Sequence, residues 1–188
     1  MERADASAFL PQDFEIIACF WVAKPVEVNG LHRMSRRAME YPVRLQHWKP
    51  SWVPSGSLFH IRIRTKAGQS PSLTEQGIAE DLLEAARRYH ELDTWWCEFF
   101  LLMPDHIHAL LQFPRDPGMA KIIANWKRGT ARFQGIRWQD NFFDHRIRDR
   151  SEAAEKWNYI RNNPVVKGLC KHPDEWPHWF SGIVGGTR

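Results

Sequence analysis

Cysteine is scarce: Cys19, Cys97 and Cys170 are far apart and form no Cys-x-x-Cys pair. That excludes a disulfide framework and a zinc ribbon, and it places the expected home in a reducing compartment. Long apolar runs are missing as well. The stretch Ile16 to Ala23 is too short to span a bilayer, and the start of the chain carries Glu2 and Asp5 rather than a basic region ahead of an apolar segment. A cytoplasmic protein with no membrane partner is expected. No internal repeat or low-complexity tract is present. Charge of one sign is also weak, with 26 Lys and Arg against 22 Asp and Glu. The excess hints at a polyanionic partner and no more.

What remains is a globular composition: 188 residues, 43% apolar, with ten tryptophans. One domain with flanks fits that length. Residues 1–57 show no sustained period, and prolines interrupt Tyr41 to Pro54 every few residues. They are expected to form an extension or arm, with a short strand near Phe14 to Val22.

From Leu58 to Thr65 the chain alternates, with Phe59, Ile61 and Ile63 on one side and His60, Arg62 and Arg64 on the other. This predicts a half-buried strand with a basic outer face. Ser72 to Glu75 is a capping box, and Ile78, Leu82, Ala85 and Tyr89 follow at helical spacing to about His90. Trp95 to Leu102 reads as a second strand, and a Met103-Pro104-Asp105 turn leads into a third. Asp116-Pro117 reads as a cap and first helical position ahead of the stripe Met119, Ile122, Ile123, Trp126 and Phe133. Lys121, Lys127, Arg128 and Arg132 lie mostly off that stripe. A fourth strand fits Asn141 to Arg148, and Asp149 or Ser151 can cap a last helix that should end before Pro164. This order matches an α+β, ferredoxin-like antiparallel sheet (βαββαβ), with helices on one face and a C-terminal helix added. In that fold the first and third strands are neighbours, so Arg62 and Arg64 stand beside His106 and His108. Residues 171–188 form a tail in which Glu175 to Phe180 should pack back on the domain.

The chain is organised around Leu101 to Leu111. His106 and His108 share one face of a short apolar strand. Two neutral imidazoles side by side can grip a metal ion; they are equally compatible with the solvent face of an antiparallel strand. On the last helix Ala153, Trp157 and Ile160 make the apolar stripe, and Tyr159 falls to its side with Asn163 one turn further on. A boundary tyrosine with its hydroxyl in water has the same pattern.

Together, Met103-Pro104-Asp105-His106-Ile107-His108-Ala109-Leu110-Leu111, Trp138 to Arg148 and Tyr159-Ile160-Arg161-Asn162-Asn163-Pro164-Val165-Val166-Lys167-Gly168-Leu169 resemble, in order and spacing, the single-tyrosine HUH transposases related to insertion sequence 200. Among these, the likeness is to the REP-associated tyrosine transposases, over roughly Trp48 to Trp179. The resemblance implies a nuclease domain at residues 58–170, with His106 and His108 as metal ligands and catalytic groups and Tyr159 as nucleophile. Asn163 would be the third ligand, where some relatives carry Gln. It also implies Mg²⁺ or Mn²⁺, and a single-stranded DNA partner with an adjacent hairpin. Arg62, Arg64, Lys127, Arg128, Arg146 and Arg148 are the side chains assigned to DNA binding. A tyrosine hydroxyl with pKa ~10 is a poor nucleophile at neutral pH, so this chemistry needs a cation to polarise the scissile phosphate. Attack would give a 5′-phosphotyrosine and a free 3′-hydroxyl. Because the phosphotyrosine keeps the energy of the broken ester, no nucleotide cofactor is required.

Two other readings compete. A catalytically silent binder of single-stranded nucleic acid with an RRM-like sheet shares the plan, although no Lys/Arg-Gly-Phe-type run is present and a binder has no need of the His pair and the distant tyrosine. A metal-dependent phosphodiesterase using water would leave Tyr159 idle. A monomer is expected over a dimer, since the extensions can cover a strand edge. His145 fits a structural role within its strand better than a substrate contact.

Overall fold

A computed structural model of the chain describes Ser51 and residues 53–183. The strand expected near Phe14 to Val22, and most of the arm at residues 1–57, lie outside the described residues. Within the described part of that arm, Val53 is buried in the main core, 3% exposed.

The elements run β1 (Leu58–Arg64), α1 (Ile78–Glu91), β2 (Trp96–Leu102), β3 (His106–Gln112), α2 (Met119–Gln134), β4 (Phe143–Arg146), α3 (Arg150–Val166), a 3-10 turn (Pro173–Glu175) and β5 (Trp179–Phe180). The strands form one sheet in the order β4-β1-β3-β2-β5, and every pairing is antiparallel. With β5 set aside as an added edge strand, this is the expected ferredoxin-like order, with β1 and β3 central.

Strand alternation sorts the side chains into two layers. Phe59, Ile61, Ile63, Ile107 and Ala109 are buried against Leu82, Leu83 and Ala86 of α1 and Ile122, Ile123 and Trp126 of α2. Each fully buried isoleucine there stabilises the fold by about 1.5–3 kcal/mol. The opposite face carries a second, smaller cluster in which Phe99, Leu101 and Leu110 meet Ile160 and Trp157 of α3 and Trp176 beyond it. The sheet is therefore covered on both faces.

The chain after α3 packs back as expected. The Trp176 indole N–H donates to the Leu102 carbonyl at 2.9 Å, and the Leu102 N–H donates to the His178 carbonyl at 2.9 Å. No helix among the described residues is long and apolar enough to cross a membrane.

Both helix starts lie later than the capping signals place them, for one reason. The first helix begins only at Ile78, after Gly77 with φ 85°, and the second at Met119, after Gly118 with φ 77°. A glycine in the left-handed region breaks the helical path between the polar residue and the helix. Ser72 consequently serves a local turn, accepting the Thr74 N–H at 3.4 Å, and Asp116 caps nothing. Asp149 does cap α3, its side chain accepting the Glu152 N–H at 3.0 Å.

The expectation that the last helix ends before Pro164 is corrected, because α3 runs through Pro164 to Val166. Proline suits helical φ and forfeits one N–H bond, a small loss so near a helix end. Phe133 also leaves the predicted stripe, standing 80% exposed. Thr130 takes the buried position instead, donating its hydroxyl to the Trp126 carbonyl at 3.0 Å and accepting the Trp138 indole N–H at 3.0 Å.

Candidate active site

The central pair of strands builds the floor of the site. In the β1–β3 register Arg62 stands opposite His108 and Arg64 opposite His106, so all four side chains share a face. The two histidine rings meet edge to face, with Nε2 of His106 3.1 Å from Nε2 of His108. Asp105, at the end of the turn, accepts the Nδ1–H of His106 at 2.6 Å. On the far side Nδ1 of His108 lies 3.0 Å from Nε2 of His60, and the two ring planes are 20° apart with 5.2 Å between centroids. His60 reaches His108 diagonally across the strand pair.

The third helix forms the roof. Its first turn is tied to β4 by Glu152, whose carboxylate accepts from His145 Nε2 at 2.6 Å and from the Arg148 N–H at 2.8 Å. The bond of His145 thus runs to α3 rather than within its own strand. Further along, Trp157 stacks near Phe99, with centroids 4.3 Å apart, and Ile160 is fully buried. These contacts fix the rotation of α3 and bring Tyr159 over the histidines. Its ring centroid lies 6.0 Å from that of His108 and 6.3 Å from that of His60, both edge to face. The tyrosine is 53% exposed, open to solvent on one side. Lys156 places its amino group 5.6 Å from the tyrosine ring. Asn163, one turn on, is buried, with its amide nitrogen donating to the Tyr159 carbonyl at 2.8 Å.

The histidines do not lie on a solvated outer face. His106 is 6% exposed, His108 2% and His60 6%, because the face that alternation leaves polar is roofed by α3. Burial sets their charge: desolvation, with smaller pushes from His106, His60 and the two arginines on His108 and from Lys156, Arg62 and His145 on His60, lowers His108 to about 2 and His60 to about 4. Desolvation also lowers His106, although Asp105 partly offsets it. All three rings are therefore neutral at physiological pH, the form in which imidazole binds a cation.

That burial has a consequence for acid stability. A histidine held neutral in the folded state takes up a proton on unfolding once the pH is below ~6.5. The folded state is then at full stability above that pH and weakens as pH falls, down to about 4 for His60 and about 2 for His108. Urea titrations of the metal-free protein at pH 7 and pH 5 should differ by on the order of 1–2 kcal/mol per histidine. A flat profile across that window would mean the rings are solvated.

Two nitrogen ligands at right angles, each about 2.1 Å from a shared ion, stand about 3.0 Å apart. The 3.1 Å separation of the two Nε2 atoms fits that requirement. Among the described residues no group of three or more His, Cys, Asp or Glu side chains is arranged to hold a metal ion.

The assigned basic residues separate. Arg62 lies on the histidine face with its guanidinium 5.4 Å from the Phe143 ring, and its buried Nε has no hydrogen-bond partner among the described residues. Arg64 is exposed beside it. Arg148 stands at the entry to α3. Arg146 is opposite Phe59 in the β1–β4 register and so points to the other side of the sheet. Lys127 and Arg128 belong to α2, also across the sheet, where Lys127 donates to the Gln139 and Asp140 carbonyls. His60, Asp105 and Phe143 are site residues that the sequence pattern did not single out, although the alternation of β1 already put His60 on the correct face.

No family model matches the chain. The REP-associated tyrosine transposase of Escherichia coli (strain K12) is 23% identical over 140 residues, covering 71% of this chain and 81% of that protein. A Haemophilus influenzae protein provisionally given the same name is 35% identical over 95 residues, covering 41% of this chain and 53% of its own length. Among solved structures, a REP-associated tyrosine transposase bound to a REP hairpin is similar, with a TM-score of 0.60 and 22% identity over 72% of this chain and 82% of that one. The chain resembles these transposases in sequence and shares their fold.

Proposed function

We propose that this chain is a transposase-type endonuclease and strand transferase acting on single-stranded DNA. The observation that carries the reading is the seating of Tyr159 over His108 within one chain, 6.0 Å between ring centroids. The nuclease domain spans residues 58–170, with 1–57 as an arm and 171–188 as a tail. His106, His108 and Asn163 would hold Mg²⁺ or Mn²⁺, which when bound polarises the scissile phosphate and offsets its developing charge. The Tyr159 oxygen forms a bond to phosphorus at the 5′ side while the bond to the 3′ oxygen breaks. The phenolic proton leaves, and the departing oxygen takes one up as a 3′-hydroxyl. Because every group comes from one chain, a monomer suffices.

Arg62, with its unpartnered buried Nε, and Arg64 would take phosphates next to the site. The exposed Phe143 ring offers a base a stacking surface. Arg148 extends that path; Arg146, Lys127 and Arg128 would be reached only where a hairpin wraps around the β4 edge. The relative of known structure is bound to a REP hairpin, which motivates a hairpin-bearing substrate here.

The test is a covalent adduct. Incubation with single-stranded DNA bearing a REP-type hairpin and Mn²⁺, followed by denaturation, should leave DNA attached to Tyr159; cleavage without an adduct would instead support hydrolysis by water. Substituting Arg62 and Arg64 by Gln should weaken binding of all sequences alike and flatten the slope of log K on log salt by ~0.7 per lost phosphate contact. Base preference should persist, since phosphate contacts position rather than specify. Equal binding at every salt concentration would move the DNA off this face.

A further inference from the structure

Three histidine rings, not two, line the floor of the site, and the third belongs to β1, 48 residues before its partner. We propose that His60 is a positioning residue that holds His108 in the orientation and tautomer a cation needs. The proposal rests on the metal-site reading above.

The argument follows the ring hydrogens. Asp105 accepts from Nδ1 of His106 at 2.6 Å, which leaves Nε2 of His106 bare and facing Nε2 of His108 at 3.1 Å. Without a cation, the bond across that gap has one possible donor, the Nε2–H of His108. Its Nδ1 is then bare and accepts from Nε2–H of His60 at 3.0 Å. A cation shared by His106 and His108 needs both Nε2 atoms bare. The hydrogen on His108 must then sit on Nδ1, and that N–H must find an acceptor in a place closed to water, His108 being 2% exposed. Among the described residues the acceptor it faces is Nε2 of His60, which becomes bare as the hydrogen of His60 moves to its own Nδ1. Three rings carry three ring hydrogens before and after, and no proton is gained or lost. The His60–His108 bond survives with its direction reversed.

Imidazole is suited to position 60 because either of its nitrogens can carry the hydrogen. The hydrogen bond to His108, with only 20° between the ring planes, keeps both rings in register through the exchange. A leucine would fill part of the space and leave a buried N–H unpaired, which disfavours the metal-binding tautomer. A glutamine amide can either donate or accept at that point, so it should preserve the function.

The experiment uses the full chain labelled with ¹⁵N-histidine, titrated with Zn²⁺ alone as a diamagnetic probe and read ring by ring in long-range ¹H–¹⁵N correlation spectra. His106 should carry its hydrogen on Nδ1 throughout. His108 should change from Nε2–H to Nδ1–H as Zn²⁺ binds, and His60 should change in the opposite sense at Nε2. His60→Leu should weaken site-specific Zn²⁺ binding by about 10–100-fold, the usual cost of losing an outer partner of a metal-bound histidine, and His60→Gln should recover most of that loss. The proposal is overturned if the His108 tautomer does not change on binding, a result that needs no variant. It is also overturned if folded His60→Leu binds as tightly as the parent, or if His60→Gln is as impaired as His60→Leu, since packing alone would then account for the position. Those outcomes leave the metal site standing. A parent whose His106 and His108 signals ignore Zn²⁺ sinks the metal-site reading together with this one.

Discussion

Replacing Tyr159 by Phe should abolish cleavage while leaving the fold and DNA affinity nearly intact. The change removes one oxygen from a ring that is 53% exposed, and the contacts that seat the ring, with His108, His60 and Lys156, are made by its faces and edges. Neither a cavity nor an unpaired buried group results, so stability should shift by less than about 0.5 kcal/mol. The loss in activity is of another order. Removing a nucleophile typically costs a factor on the order of 10⁴–10⁶, and a phenyl ring has no substitute atom. A nicking assay on single-stranded DNA with Mn²⁺, run beside a binding assay, separates the two quantities. Undiminished nicking by the variant would remove Tyr159 from the role and favour attack by water, with the histidine site intact.

The period of two in β1 and β3 carries most of what could be read in advance. It places Arg62 and Arg64 with His106 and His108, and Ile61 and Ile107 with the helices, and the register bears out both. The capping signals failed where a glycine with positive φ intervened, since Ser72 and Asp116 look like caps whether or not the next turns are helical. Burial of the histidine pair was not legible from alternation, because what covers a sheet's second face is decided by α3, whose own apolar stripe is short. His60 shows the limit most clearly. Its face followed from its neighbours, but its partner is set by a register between strands 48 residues apart. The small C-terminal strand was equally hidden, two residues being too few to show a period.

Replacing both His106 and His108 by Ala should eliminate metal-dependent cleavage and also destabilise the protein, by about 2–4 kcal/mol at pH 7.5. Cleavage would fail because the proposed cation site would keep only the Asn163 oxygen. The stability loss follows from burial: two rings at 6% and 2% exposure leave space that β3 and α3 cannot close fully, and Asp105 and His60 lose their partners. A loss of stability alone would equally describe two histidines that are merely core residues, so metal must enter the measurement. Anything that binds the folded state and not the unfolded one stabilises it by RT ln(1 + [L]/Kd), about 2.7 kcal/mol at a hundredfold excess over Kd. The parent's melting temperature should therefore climb with Mn²⁺ concentration, while that of the double variant stays flat. If Mn²⁺ moves the two proteins equally, or neither of them, the pair is a packed and satisfied part of the core, and Tyr159 stands over it without a metal-assisted reaction to perform.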